Sequence, residues 1–154
     1  MTTENNKDRE FELHSFFPYL VRDFYAEVTR AVQSAYRLDY DMSPAEWRCM
    51  AILGKDQTLA ANEIVTLSSM GKVTVSRAVK RMQERDWLVA SSNSDDGRSK
   101  MLSLTNAGVT TYLEIVPKVL EIENKLLANI SEKQKKDFLD MIDKVKKNRN
   151  IHDL

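Results

Sequence analysis

Five cationic side chains lie between Lys72 and Arg85: Lys72, Arg77, Lys80, Arg81 and Arg85. Ammonium and guanidinium groups at this density suit a row of phosphates. Lys72, Lys80 and Arg81 are the candidates for that work, aided by backbone N–H groups at a helix start. Arg77 has a further chemistry open to it, because a guanidinium can grip guanine O6 and N7 together. Interleaved with the cations are Val73, Thr74 and Ser76. A valine methyl can meet a thymine methyl, and the two hydroxyls can reach base edges. A second group follows at Asp96, Gly97, Arg98 and Lys100. Arg98 beside a glycine can enter a narrow minor groove, and Asp96 can hold its guanidinium by a bidentate pair. The competing readings are an ordinary surface helix for the first group and a solvated hairpin for the second.

Such chemistry needs a helix with a fixed back. The stretch from Gly71 to Leu88 supplies one: at 100° per residue Val75, Ala78, Val79 and Met82 share an apolar stripe. Val73, Arg77, Lys80 and Glu84 lie opposite, with Ser76 and Arg81 on the flanks. Val73 therefore points outward although it is apolar, which folding alone does not explain. A short helix over Ala61–Ser68, with Ile64 and Leu67 inward, precedes a Ser69-Met70-Gly71 turn. Two short helices joined by a glycine-containing turn form a helix-turn-helix. After it the period changes. Residues 88–92 and 100–104 read as short strands, and the turn formers of 93–99 join them as a hairpin wing.

The flanking chain reads as long helices. Residues 1–12 are polar. Phe16, Leu20, Phe24, Val28, Ala31 and Ala35 recur at three- and four-residue steps, predicting a helix from about Phe16 to Leu38. Its apolar surface is broad enough to pack against a second subunit. Ser43-Pro44-Ala45-Glu46 is a capping box with proline at the first helical position. It opens a helix to about Leu53 that buries Trp47, Met50 and Leu53. Leu59 begins a very short strand. Thr105 caps a helix running to about Ile130, with Pro117 inside it, and Ser131–Gln134 is a second capping box before a last helix. The fold class expected is mainly α with a small β-hairpin wing. The segments are an N-terminal tail (1–12), an N-terminal dimerisation helix (13–40) and a winged helix-turn-helix (41–104). C-terminal dimerisation helices (105–148) and a tail (149–154) follow.

Composition narrows the function. Lys+Arg and Asp+Glu are balanced at 23 each, but the charge is segregated. From Lys72 to Lys100 seven basic residues face four acidic ones, whereas from His14 to Gly71 five basic residues face seven acidic ones. That is the footprint of a nucleic-acid binder. The single cysteine, Cys49, excludes an intrachain disulfide and fits a reducing cytosol, so a cytoplasmic location is expected. No apolar run reaches the roughly 18 residues of a membrane span. Enzyme chemistry finds little support. The two histidines, His14 and His152, sit at opposite ends, and there is no glycine-rich phosphate loop, Cys-x-x-Cys pair or nucleophile elbow. No catalytic residue, metal ligand or cofactor is assigned.

The order of these elements resembles the MarR family of bacterial and archaeal transcriptional regulators, over about Phe16 to Lys147. SPAEWRCMAIL, KVTVSRAVKRMQERDWL and DDGRSKMLSLTNAG carry the resemblance. It implies a winged-helix homodimer on a palindromic operator. The helix matching Lys72–Asp86 would lie in the major groove and the Asp-x-Arg wing, Asp96 and Arg98, in the minor groove. It also implies first and last helices that intertwine, and a small, often aromatic effector bound between dimer helices and winged helix. His14, Tyr19, Arg22 and Trp47 lie in the segments that would line such a pocket. Two positions depart from the family pattern: Ala60 where relatives have Ser or Thr, and Gly71 where they have an acidic residue. Both are helix caps, so this helix-turn-helix is expected to be softer.

The expected partners are therefore double-stranded operator DNA, a second copy of the chain and a small-molecule effector, with no membrane; the regulator is read as a repressor. Two alternatives remain. One is a winged-helix module that binds protein instead of DNA. The other is a redox-responsive regulator using Cys49, which the apolar neighbours of that cysteine and the absence of a cysteine in Phe11–Tyr19 disfavour.

Overall fold

Ser43 shows how directly the local sequence fixes the frame. Its N–H donates to Glu46 Oε2 at 2.9 Å and its Oγ accepts from the Glu46 N–H at 3.2 Å, closing the expected capping box. Pro44 takes the first helical position, and the helix runs Pro44–Leu53 as the sequence predicts. This computed structural model describes residues 10–54, 56–92 and 100–148. The chain divides into two compact units, residues 1–122 and 123–154.

The first unit begins with a 3-10 turn, Leu13–Ser15, and continues as α1 (Phe17–Gln33), α2 (Arg37–Tyr40), α3 (Pro44–Leu53) and β1 (Leu59–Ala60). Next come α4 (Ala61–Ser68), α5 (Lys72–Glu84), β2 (Leu88–Ser92), β3 (Lys100–Leu104) and α6 (Asn106–Leu126), which reaches the second unit. The three strands form one antiparallel sheet in the order β1-β3-β2, with Leu59 opposite Leu102 and Leu88 opposite Leu104. Its core joins Met50 and Leu53 of α3, Ile64 of α4, Val75 and Met82 of α5, Leu88 and Leu102 of the hairpin, and Ile115 of α6. Each such side chain taken out of water contributes about 1.5–3 kcal/mol before chain entropy is subtracted.

Thr105 anchors α6 as expected of a cap, its Oγ1 accepting from the Gly108 N–H at 3.0 Å. The same hydroxyl donates to the Asp86 carbonyl, and the Thr105 N–H donates to the Trp87 carbonyl. Gly108 is the reason this approach fits, since a Cβ there would stand 2.1 Å from the Trp87 oxygen. The helix continues unbroken through Pro117 and ends at Leu126, earlier than the expected Ile130.

Two other expectations fail on tertiary grounds. The first helix does not reach Leu38. It stops at Gln33, and Ala35 and Tyr36 then turn into the core, only 4% and 1% exposed. Burial of Tyr36 wins over continued helix, although nothing in the local sequence breaks it. Leu67 is not inward but 60% exposed. The buried direction of α4 is set by Ile64 and Ser68, one turn apart, and Leu67 lies to one side of it.

The second unit contains α7 (Glu132–Lys147), opened by the second capping box. The Ser131 N–H donates to Gln134 Oε1 and Ser131 Oγ accepts from the Gln134 N–H. Lys133–Asp137 and Lys136–Asp140 pair at four-residue spacing on its polar side. Its apolar residues Leu139, Met141 and Val145 are exposed. Among the described residues no helix is long and apolar enough to cross a membrane.

Candidate nucleic-acid interface

The two helices of the helix-turn-helix start without a complete cap. At α4 the Ala60 N–H donates to Glu63 Oε2 at 2.7 Å, so the third helical residue reaches back as in a capping box. Ala60 has no side-chain acceptor to return the bond. At α5 the cap is Gly71, with φ of −66° and no side-chain hydrogen bond. An added Cβ there would meet nothing within 4 Å. The turn between the helices needs a left-handed residue, and Ser69 supplies it at φ of 56°. Arg48 of α3 ties this turn to the first helix. Its guanidinium donates to the Ser68 carbonyl at 3.3 Å and to the Tyr25 hydroxyl at 2.5 Å.

Along α5 the expected two faces are present. Val75, Ala78 and Met82 are buried, and Val79 is partly so. Val73 is 66% exposed, and Lys72, Thr74, Ser76, Arg77 and Lys80 share the exposed surface. Lys80 lies 3.8 Å from Glu84, an exposed pair of the kind worth little. Lys100 is exposed at the start of β3, opposite Ser92. Asp96 and Arg98 lie outside the described residues.

The remaining two cations of the run behave differently. Arg81 Nε lies 3.4 Å from Oε1 of Glu46, which is fully buried, and its Nη2 lies 3.5 Å from Asp41 Oδ2. Arg85 Nη1 donates to the Tyr40 and Asp41 carbonyls at 2.6 and 3.1 Å. Its Nη2 reaches Asp41 Oδ2 at 3.4 Å, and its guanidinium carbon stands 4.5 Å from the Trp87 ring centre. Sequence reasoning missed these carboxylates. Glu46 was legible as the capping residue, but one of its two oxygens satisfies the cap and the other faces α5. Asp41, in a left-handed conformation at φ of 45°, gave no signal as their companion.

The residues expected around an effector do not come together as one group. His14 and Tyr19 pack edge to face, 5.5 Å between ring centres, near the start of α1, and Arg22 is exposed. Trp47 instead stacks with Tyr36 and Tyr112, at 5.7 and 6.2 Å. A cleft of about 350 Å³ does exist between α4, α5 and the hairpin, lined in part by Val65, Ser76, Val79, Ala90 and Lys100. None of the four candidates lines it. Cys49 is fully buried, and burial pushes its thiol up to about 11. A thiol so placed is poorly suited to oxidant sensing, which needs accessible thiolate.

A helix-turn-helix followed by a paired hairpin defines a winged-helix protein. The MarR family model matches residues 40–99 of the chain. The HTH-type transcriptional regulator YwoH of Bacillus subtilis (strain 168), itself uncharacterized, is 28% identical over 99 residues, 64% of this chain and 72% of that protein. Among solved structures, the MepR–DNA complex of S. aureus superposes with a TM-score of 0.77 at 19% identity, covering 90% of this chain and 99% of that one. PcaV of Streptomyces coelicolor, in complex with its natural ligand, gives 0.78 at 16% identity, covering 90% and 97%. At such identities the two structures establish the fold. Together with the family match over residues 40–99, they show a winged-helix fold similar to that of MarR-family transcriptional regulators.

Proposed function

We propose that the chain is a sequence-specific, homodimeric repressor on a palindromic operator, with DNA binding modulated by a small, aromatic ligand. The observation that carries this reading is the front of α5. Val73 is held 66% exposed beside Thr74, Ser76 and Arg77, while the back of the same helix is locked into the core. An apolar methyl group kept outward among hydroxyls and a guanidinium matches base edges in a major groove. Lys72, Lys80 and Lys100 are the phosphate contacts of this reading, and Asp96 and Arg98 its minor-groove pair. The DNA-bound MepR relative supports the partner, and the ligand-bound PcaV relative supports an effector. His14, Tyr19 and Arg22 at the start of α1, and Trp47, stacked with Tyr36 and Tyr112, stay candidates for that ligand.

The dimer is supported by apolar side chains left in water. Phe17, Leu20 and Val21 of α1 and Leu139, Met141 and Val145 of α7 are each 42–53% exposed. A second copy would cover them and carry its own α5 to the next turn of the duplex, about 34–36 Å away. A cytoplasmic location follows from this role.

The test is Arg77→Ala, assayed on a duplex that the wild-type chain enriches from a random pool. It should cost about 1–3 kcal/mol of specific binding and relax the sequence preference at one position. Unchanged affinity and preference would remove Arg77 from base reading. Release of the wild-type complex by aromatic acids in the same assay tests the effector. Failure of binding to fall steeply with salt would favour the protein-binding alternative.

A further inference from the structure

We propose that Arg81 is a positioning residue of α5, held with Arg85 by the carboxylates of Glu46 and Asp41, and not one of the chain's phosphate contacts. The inference rests on the DNA-binding reading of α5 and sharpens it. Glu46 is the key observation, a carboxylate with no solvent exposure whose two oxygens have separate tasks. Oε2 accepts from the Ser43 N–H and completes the cap of α3. Oε1 accepts no hydrogen bond of good geometry among the described residues, and the cation facing it is Arg81 Nε, at 3.4 Å. A buried carboxylate needs a nearby positive charge, so Arg81 is held where it is by the cost of leaving Glu46 alone.

The other end of the same guanidinium reaches Asp41 Oδ2, and so does Arg85, the C-cap just past the end of α5. Two arginines four residues apart are thus fastened to one segment, residues 40–46, and Arg85 is further held by two carbonyls of it. Fastening the last turn of the helix and its C-cap to one segment fixes rotation about the helix axis. Rotation is what decides where Val73 and Arg77 point, because they ride on the same cylinder. The charge also argues against phosphate contact. Asp41 is exposed, and its carboxylate beside both arginines would repel a phosphate brought to them. The cationic surface of α5 accordingly contracts to Lys72, Arg77 and Lys80.

The test compares Lys80→Ala, Arg81→Met, Asp41→Asn and Glu46→Gln in the full chain. Glu46→Gln keeps an oxygen for the Ser43 N–H and turns an amide N–H toward Arg81. Binding is measured against salt on the enriched duplex and on a scrambled duplex of the same composition. Lys80→Ala should lower the salt slope by about 1 and weaken both duplexes alike. Arg81→Met, Asp41→Asn and Glu46→Gln should leave the slope unchanged and cut the ratio of enriched to scrambled affinity by about tenfold or more. The Glu46→Gln/Arg81→Met double variant should lose no more than the worse single one. A slope lowered by about 1 in Arg81→Met, with the ratio intact, would make Arg81 a phosphate contact and overturn the proposal. So would tighter binding of both duplexes by Asp41→Asn, the result for a carboxylate acting through charge alone. If Glu46→Gln melts below the assay temperature, Asp41→Asn, at an exposed position, decides. A wild-type chain that enriches no duplex overturns the functional reading and this proposal with it. Enrichment with unaffected variants overturns this proposal only.

Discussion

α5 and α7 are written in the same code and end in different states. Both are amphipathic, both carry lysines on the polar side, and both repeat apolar residues at helical spacing. In α5 the stripe of Val75, Ala78 and Met82 is at most 3% exposed. In α7 Leu139, Met141 and Val145 remain 42–53% exposed. The difference is not in the helices but in what the chain offers them. α5 is covered by α3, α4 and the hairpin, which follow and precede it closely in sequence. Among the described residues of its unit, α7 finds no such cover. An amphipathic pattern therefore says that a face will be buried, and leaves open in which molecule.

The strongest way to break this contrast is Leu139→Lys. If a second copy covers α7, a symmetric interface meets the substitution twice, and lost burial alone costs roughly 3–6 kcal/mol per dimer. Sedimentation should show the wild type as a dimer at micromolar concentration and the variant as a monomer. A wild-type monomer would leave the exposed stripe without the explanation offered. Somewhat smaller is Met82→Ala on the covered helix. It should cost about 2–5 kcal/mol in denaturant unfolding, by lost burial and by the cavity left behind. That loss should not depend on protein concentration, whereas the α7 effect should. The smallest effect sharpens the comparison at the helix starts. α7 has a complete capping box and α5 has Gly71. Gly71→Ser has open space and a suitable backbone, so it should add a few tenths of a kcal/mol, read as a small rise in unfolding midpoint.

Much of the winged helix was legible because its signals are local. Both capping boxes, the strands of the hairpin, the limits of α3 and α4, and the two faces of α5 follow from side-chain type at fixed spacing. The misses share a different cause. α1 stops at Gln33 because Tyr36 is drawn into a core built largely by residues far along the chain. Leu67 is outward because the core lies on the Ile64–Ser68 side of α4. The stacking of Trp47 between Tyr36 and Tyr112 was equally invisible in the sequence. Each depends on residues that are distant in sequence and adjacent in space.

The cationic run of α5 shows where the boundary falls. Sequence alone determined that Val75, Ala78 and Met82 form a buried back and that Val73, Thr74, Ser76 and Arg77 stand outward, because helical periodicity assigns directions to residues. It also determined that five cations would lie along that helix. Only the tertiary structure decided how those cations are shared. Glu46 and Asp41, more than thirty residues earlier, engage two of them: buried Glu46 needs a positive charge and the fold brings Arg81 within reach, while exposed Asp41 lies beside both Arg81 and Arg85. On the proposed reading, what remains for a nucleic acid is Lys72, Arg77 and Lys80, which neither Glu46 nor Asp41 engages.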